Sequence, residues 1–427
     1  MWVNDAFWHG PCLLSLHATD VRTSRYSHGI SHKRRRGGVT NRRYVQIRYP
    51  WAASYEAGRS APRAYLASLI QQTLRYGMPA RRYGRAGSWV IRHAASGGAL
   101  KTALRPWRRT DRPDVDSILE QVAGSWERFA EGCPRLPRER PARLSALALK
   151  RRAADTVFVF GDGQQPLLVC KAPRGEEDSL ELEATALSEA KSAKVAPLPL
   201  GKLGAIFVQE ALPGAPLEVE PISPASARTL PWRPEHEELA EGLIRLARAT
   251  ARPGPPQELR SELLSALQAA SLNEEVRRRA RVALEDLENF DLAVLRHGDT
   301  SPQNCLFDRG RFTGLVDWEI ARPRGAPGFD ILNAAVAYVD QGVGLVRWSE
   351  ERAVESFRAA WQFSPFFRHA REAARSATRA AGGSDDDHER LEIAFFARRL
   401  ASRAASPSSY ATGPCSAALM LEIACAR

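Results

Sequence analysis

The spacing of apolar residues changes character near residue 114. Before it, apolar side chains are scattered and keep neither the helical nor the strand period over any useful length. After it, the chain follows one helical face, beginning with Val115, Ile118, Leu119 and Val122. We therefore predict that a folded domain begins at residue 114.

The next part of the chain reads as short strands. Apolar runs typical of strands lie at 144–149, 156–160, 167–171 and 205–210. Gly161, Asp162 and Gly163 predict a hairpin turn between the second and third runs. An antiparallel sheet is therefore expected in this region.

Helical patterns surround and follow these strands. Residues 178–190 predict an acidic helix whose apolar side carries Leu180, Leu182 and Leu187. From Pro234 the pattern is mostly helical, with strand-like pieces near 292–306 and 312–316. Strands first and helices later predict an α+β protein in two lobes. The predicted units are an extension at 1–113, an N-terminal lobe at 114–213 and a C-terminal lobe at 214–427.

Composition is that of a soluble globular protein. Hydrophobic residues make up 44% and charged residues 26% of the 427 positions, and no apolar run approaches the roughly 20 residues that span a bilayer. The six cysteines form no C-x-x-C pair, which argues against a zinc cage or a disulfide framework. We expect a cytoplasmic protein without a membrane partner, and the sequence does not indicate an oligomeric state.

The net charge of +12 is divided unevenly along the chain. Residues 1–112 carry 21 Lys and Arg against 4 Asp and Glu, or +17, which leaves −5 for the remainder. A basic, aperiodic segment rich in Gly and Ser predicts a disordered extension, or translated sequence upstream of the true start. Two other interpretations stay open. One is a nucleic-acid-binding arm, since Tyr44, Trp51 and Tyr55 lie among arginines, and the other is an organellar transit segment.

The strongest chemical signal lies in residues 295–330, which read LRHGDTSPQNCLFDRGRFTGLVDWEIARPRGAPGFD. Phosphoryl transfer requires a carboxylate for the attacking hydroxyl, oxygen ligands for Mg²⁺ and a cation on the phosphates. Asp299, Asn304 and Asp317 would supply the carboxylate and the oxygen ligands. The spacing of Asp299 and Asn304 matches the catalytic loop of protein kinases. Asp317 follows a short apolar strand, where a metal-binding Asp is expected.

This segment resembles the aminoglycoside phosphotransferase and choline kinase-like family in its H-G-D, short spacer, N, and V-D-W-E ending. The resemblance implies a protein kinase-like fold, with a small antiparallel-sheet N-lobe and a larger, mainly helical C-lobe. It implies a kinase that phosphorylates a hydroxyl of a small molecule. Asp299 would be the catalytic base, and Asn304 and Asp317 would hold Mg²⁺. His297 would brace the loop, and Asp330 would support the C-terminal lobe.

The upstream half is then expected to bind the nucleotide, ATP or GTP. Lys171 ends an apolar strand, where a kinase places its phosphate-pairing lysine, and Glu183 lies on the next helix, where its ion-pair partner belongs. The later strand and Pro-Gly turn also resemble the family. By that resemblance, the backbone of Gln209, Glu210 and Ala211 would meet the adenine edge.

One departure from the family pattern leaves an alternative open. The loop expected over the phosphates, residues 150–155, contains no glycine, so its backbone has less freedom to approach them. A nucleotide-binding pseudo-enzyme with a regulatory role is therefore a second hypothesis, beside the nucleic-acid-binding arm. The motifs do not name the acceptor, although Arg368, Arg371 and Arg375 would sit awkwardly beside a cationic aminoglycoside.

Overall fold

The structure is a computed structural model that describes residues 89–93, 115–150, 154–163, 165–173, 178–259, 262–269, 272–344, 350–405, 421, 422 and 425. Apart from Trp89–His93, the predicted basic extension lies outside this set. So do Tyr44, Trp51 and Tyr55, and residues 151–153 of the loop expected over the phosphates. No helix of the described residues has the length and apolar character needed to cross a membrane.

Six strands of the described residues form one antiparallel sheet in the order β1-β2-β3-β4-β6-β5. Their bounds are Trp89–His93, Ser145–Lys150, Ala154–Phe160, Pro166–Pro173, Pro199–Leu203 and Ile206–Glu210 for β1 to β6. The four predicted runs correspond to β2, β3, β4 and β6. Strand β1 lies in the segment predicted as a disordered extension. Its five residues therefore belong to the sheet although they precede the predicted boundary at residue 113.

The two faces of this sheet pack against different helices. On one face lie α1 (Val115–Gly124) and α2 (Trp126–Gly132), whose buried side chains share a core with Val208. On the other face lies α3 (Asp178–Ala190), in a core that contains the neighbouring Phe207. Successive residues of a strand point to opposite faces, so β6 separates the two cores.

Helix α3 has the predicted bounds but not the predicted apolar side. Leu180 and Leu187 are buried, whereas Leu182 is 36% exposed, so its predicted burial is wrong. Glu183 is 0% exposed and lies with Leu180 and Leu187 on the buried face, three and four residues from each. Because a helix has 3.6 residues per turn, Leu180, Glu183 and Leu187 lie on one face. The buried face of α3 therefore includes a carboxylate.

The C-terminal lobe is mainly helical. Its helices are α4 (Pro224–Ala227), α5 (Pro234–Thr250), α6 (Glu262–Ala269), α7 (Glu274–Asp286), α8 (Phe329–Gly344), α9 (Glu350–Phe363), α10 (Pro365–Ala381) and α11 (Asp385–Ala405). Its strands are β7 (Ala215–Pro216), β8 (Arg252–Pro253), β9 (Leu292–Arg296), β10 (Cys305–Asp308), β11 (Arg311–Leu315) and β12 (Arg322–Gly325). They form two three-stranded sheets, ordered β11-β10-β7 and β12-β9-β8. The loop between β9 and β10 carries the H-G-D motif.

Candidate active site

The loop after β9 holds Asp299 and Asn304 together. The Asn304 side-chain amide Nδ2 donates to the Asp299 carboxylate Oδ2 and to the Asp299 carbonyl oxygen, both at 3.0 Å. The backbone N–H of Ser301 donates to Asp299 Oδ1 at 3.3 Å. Both carboxylate oxygens are therefore oriented by the loop itself. Because Nδ2 is used in these bonds, Oδ1 is the Asn304 atom suited to a cation.

His297 lies behind this loop and is fully buried. Its Nδ1 accepts from the backbone N–H of Asp299 at 3.2 Å, so the ring proton belongs on Nε2, which lies 2.9 Å from the Val316 carbonyl oxygen. The ring of Trp318 packs edge-on against it at 4.7 Å between centroids. His297 thus joins the segment that carries Asp299 to the segment that carries Asp317.

Gly298 allows these two segments to approach closely. Its φ of +87° is a conformation that side chains disfavour, and a Cβ built there would lie 2.7 Å from the carbonyl oxygen of Ile320. The backbone N–H of Val316 also donates to the Asn304 carbonyl oxygen at 3.0 Å. A close approach at Gly298 and a backbone hydrogen bond at Asn304 therefore join the two segments.

Asp317 follows β11 in the left-handed region, with φ of 72° and ψ of 60°. This conformation is uncommon for a residue other than glycine, and such strain concentrates at functional sites. Asp317 precedes a short 3-10 helix, Trp318–Ile320. Its Oδ1 lies 3.7 Å from the ammonium of Lys171, which belongs to β4 of the other lobe. One carboxylate of the C-terminal lobe therefore faces the nucleotide half predicted from the sequence.

Lys171 and Glu183 form a buried ion pair. The Lys171 Nζ lies 2.6 Å and 2.7 Å from the two carboxylate oxygens of Glu183, and the two side chains are 7% and 0% exposed. Desolvation offsets most of the Coulomb attraction of such a pair, so its contribution to stability is small relative to a packed apolar core. The pair lies beside the Asp317 carboxylate, so charged groups of both lobes meet at Lys171.

Asp330, at the start of α8, accepts hydrogen bonds from the backbone of the H-G-D loop. Its carboxylate accepts from the backbone N–H groups of His297 at 2.6 Å and Gly298 at 3.2 Å. It also accepts from the Arg296 guanidinium at 3.0 Å and 3.1 Å. The structure therefore places Asp330 where it fixes the backbone immediately before Asp299.

Glu258 completes this buried cluster and was missed by the sequence interpretation. Its Oε1 lies 2.5 Å from Arg296 Nη1, and its Oε2 accepts from the backbone N–H of Ala326 at 2.8 Å. Burial works to lower the pKa of Arg296, but the charges of Glu258 and Asp330 raise it above its ordinary value. Glu258 lies 38 residues from Arg296 in a loop without a motif, so no sequence signal marks it.

Gln209, Glu210 and Ala211 lie at the end of β6, where the chain leaves the sheet. The backbone N–H of Glu210 donates to the Leu198 carbonyl oxygen at 2.9 Å, and that of Ala211 donates to the Leu167 carbonyl oxygen at 3.1 Å. These two donors are thus used within the lobe. An adenine ring at this edge would have to use other backbone groups.

Comparison with known proteins identifies the family and the fold of this chain. A model of the phosphotransferase enzyme family (APH) matches residues 145–375, from β2 of the sheet into α10. The chain therefore belongs to this phosphotransferase family, and it has the two-lobed kinase-like fold. This confirms the resemblance seen in the H-G-D and V-D-W-E segments.

Solved structures of similar proteins are distant. The macrolide 2'-phosphotransferase of Brachybacterium faecium is 17% identical over 63% of this chain and 89% of its own, with a TM-score of 0.35. A choline/ethanolamine kinase family protein from Mesorhizobium loti is 17% identical over 71% of this chain and 99% of its own, with a TM-score of 0.34. A search of curated protein sequences found no match.

Proposed function

We propose that this chain is a small-molecule kinase that transfers the γ-phosphate of ATP, or of GTP, to a hydroxyl of its acceptor. The observation that carries the proposal is the position of Lys171, whose ammonium contacts Glu183 of the N-terminal lobe and faces Asp317 of the C-terminal lobe. Membership of a phosphotransferase family supports the reaction class.

Asp299 is the proposed catalytic base. Its carboxylate is held by Asn304 and by the backbone of Ser301, so it needs little reorganisation to meet an acceptor hydroxyl. As the hydroxyl oxygen attacks the γ-phosphorus, the hydroxyl proton passes to this carboxylate, and the bond to the leaving nucleoside diphosphate breaks.

Asn304 and Asp317 are the proposed Mg²⁺ ligands. One amide oxygen and one carboxylate fit this ion, which prefers oxygen ligands and takes one or two carboxylates together with phosphate oxygens. Neutralisation of charge on the β- and γ-phosphates is the chemistry that Mg²⁺ supplies when bound. The uncommon backbone conformation of Asp317 keeps its carboxylate close to Lys171.

Lys171 is proposed to pair with the nucleotide phosphates, while Glu183 holds its ammonium in place. Because Glu183 lies on the buried face of α3, a shift of this helix would move the ammonium with it. Lys171, which also faces Asp317, thereby links the N-terminal lobe to the C-terminal lobe.

Asp299→Asn tests the proposal. Purified protein is assayed for ADP and GDP release against a panel of alcohols, amino sugars and antibiotics. For any acceptor found, we expect the change to lower kcat about a hundredfold to ten-thousandfold, because a positioned base contributes that much. Nucleotide binding, measured separately by calorimetry, should persist.

Asp308→Asn is the matched control, since Asp308 is exposed on β10 of the same lobe and should leave kcat unchanged. Undiminished turnover in Asp299→Asn would show that the base is misassigned. Binding of ATP without turnover of any panel member would favour the pseudo-enzyme hypothesis.

A further inference from the structure

Thr300, which follows the proposed base Asp299 in the chain, is held by hydrogen bonds of its own side chain. The residue is fully buried, and its hydroxyl donates to the carbonyl oxygen of Asp330 at 2.6 Å. A hydroxyl has a single proton, so Thr300 Oγ1 can only accept from a further partner. Asn333 on α8 is such a partner, because its Nδ2 donates to Thr300 Oγ1 at 3.3 Å.

The other end of the Asn333 amide contacts a cation. Asn333 Oδ1 accepts from Nη1 of Arg399, a residue of α11, at 3.3 Å. Arginine has donors and no acceptor, so only the oxygen end of the amide can face it. The guanidinium also lies 3.3 Å from the Asp340 carboxylate, and these two side chains are 13% and 11% exposed. Arg399 is therefore held between an amide and a carboxylate of α8.

The neighbours of Asn333 fix the direction of these hydrogen bonds. Exchanging the two ends of its amide would set the NH2 group against the Arg399 donors, and the oxygen against a hydroxyl whose proton is already donated. Each donor therefore points from Arg399 toward Thr300, and from Thr300 to Asp330. We call this series of four residues the Arg399 network.

The Arg399 network reaches the catalytic loop on the side of Asp299 that the Asp330 carboxylate does not reach. That carboxylate holds the backbone N–H of Gly298, just before Asp299, whereas the network holds the side chain of Thr300, just after it. Because the three loop residues are consecutive, a displacement of Thr300 would also move Asp299. The network begins on α11, which lies beyond residue 375, where the match to the family model ends.

We infer that Arg399 is a positioning residue for Asp299, and that it acts through Asn333 and Thr300. This inference rests on the proposed function, in which Asp299 is the base. A base misplaced by about 1 Å can lower turnover about a hundredfold. Because the network contacts the catalytic loop and not the nucleotide half, its loss should lower kcat and leave the KM of ATP unchanged.

Asn333→Asp tests the direction of the network. The two side chains have nearly the same shape, and an aspartate still accepts from Arg399. Its second oxygen has no proton to donate, so Thr300 loses a donor or withdraws its own proton from Asp330. We expect kcat to fall about tenfold or more with any alcohol that the full chain accepts. Asn333→Leu, which adds no charge, should lower kcat in the same way.

Hydrogen–deuterium exchange gives a second readout that needs no acceptor. Exchange of the backbone amides of residues 297–304 should be faster in Asn333→Asp and in Arg399→Met than in the wild type. Arg399→Lys keeps a cation that only donates, so it should restore part of the protection and of the kcat. Asn273→Asp is the matched control, since it makes the same change at the exposed start of α7 and should alter neither quantity.

Three results would overturn the inference. The first is unchanged kcat and unchanged exchange in both Asn333 variants, and the second is a loss confined to Asn333→Asp, which would assign the effect to the added charge. The third is a lower Tm with unchanged kcat, which would limit the network to stability. In these cases the kinase proposal would stand. If the wild type showed no Asp299-dependent ADP release with any alcohol, the proposed function would fail, and the exchange measurement would still test whether Arg399 holds the loop.

Discussion

Lys171 is the residue on which the two lobes converge, and its substitution separates stability from catalysis. Lys171→Met leaves the fully buried Glu183 without its cation, so we expect the free energy of unfolding to fall by about 3 kcal/mol. Turnover should fall about a hundredfold or more, since Lys171 is the proposed partner of the nucleotide phosphates. Urea unfolding and steady-state kinetics measure the two effects.

An exposed ion pair between β5 and the same helix provides the comparison. Lys202 lies 3.1 Å from Glu181, with side chains 42% and 62% exposed, and Lys202→Met should change the unfolding free energy by less than about 1 kcal/mol. Restoring neutrality with Lys171→Met/Glu183→Gln should recover part of the stability but none of the turnover. Equal losses at both pairs would contradict the role of burial.

The proposed catalytic residues could be predicted from the sequence because their pattern is local. Asp299, Asn304 and Asp317 lie within one short segment whose order and spacing match a known pattern. The structure joins Asp299 to Asn304 by a hydrogen bond and places Asp317 just after β11, which pairs with β10. The role of Glu258 could not be predicted, because it depends on a loop that lies against Arg296 only in the folded chain. No local pattern in the sequence indicates this contact.

At the level of elements, the cluster around Arg296 fastens several pieces of secondary structure to one point. Glu258 contacts Arg296 at the end of β9 and the backbone of Ala326, just after β12, while Arg398 of α11 lies 3.5 Å from its carboxylate. Asp330 brings the start of α8 to the same guanidinium. Four elements, β9, β12, α8 and α11, therefore fix the position of the H-G-D loop.

Removing one carboxylate from this cluster should disturb the loop. We expect Glu258→Gln to lower the free energy of unfolding by about 3 kcal/mol, because the buried Arg296 loses one of its two counter-charges. The kcat should fall while the KM for ATP stays constant, since Glu258 acts through the loop that carries Asp299. Glu238→Gln, which alters an exposed pair with Arg311, is the control. A lower Tm with unchanged kcat would limit Glu258 to a structural role.

Strands β2, β3, β4 and β6 and helix α3 could be predicted individually, whereas the C-terminal lobe was predicted only as mostly helical. The bounds of α3 match the prediction, since its acidic start and apolar stripe are strong signals. Strand β5 was missed because most of its residues are partly or fully exposed, which leaves no alternation to detect. Leu182 was misplaced because three leucines suggested a stripe, whereas helical geometry assigns the buried position to Glu183.

For the whole molecule, acid should destabilise the fold through His236. Burial, with a smaller contribution from Arg233, lowers its pKa to about 4 from an ordinary value of 6.5. The unfolded chain then binds a proton that the folded chain does not, so stability is lost as pH falls between these values. At pH 5 we expect a loss of about 2 kcal/mol relative to pH 7.5 from this residue.

His236→Phe isolates this contribution. The ring packs against Tyr338 and Phe366, with centroids 4.7 Å and 5.0 Å away, so phenylalanine retains an aromatic contact without a titrating group. Urea unfolding at both pH values should show a smaller loss in the variant than in the wild type. An equal pH dependence in the two proteins would assign the acid sensitivity to other groups.

The position of β1 at the edge of the sheet bears on self-association of the chain. It pairs with β2 from Trp89 opposite Leu149 to His93 opposite Ser145, and so occupies the outer margin of the sheet. Unpaired margins of sheets are templates on which other chains add strands. A chain shortened to start at residue 114 would bare the hydrogen-bonding side of β2. Truncation would thus replace β1, which carries Arg92, by β2 as the margin at which a second copy of the chain could add a strand.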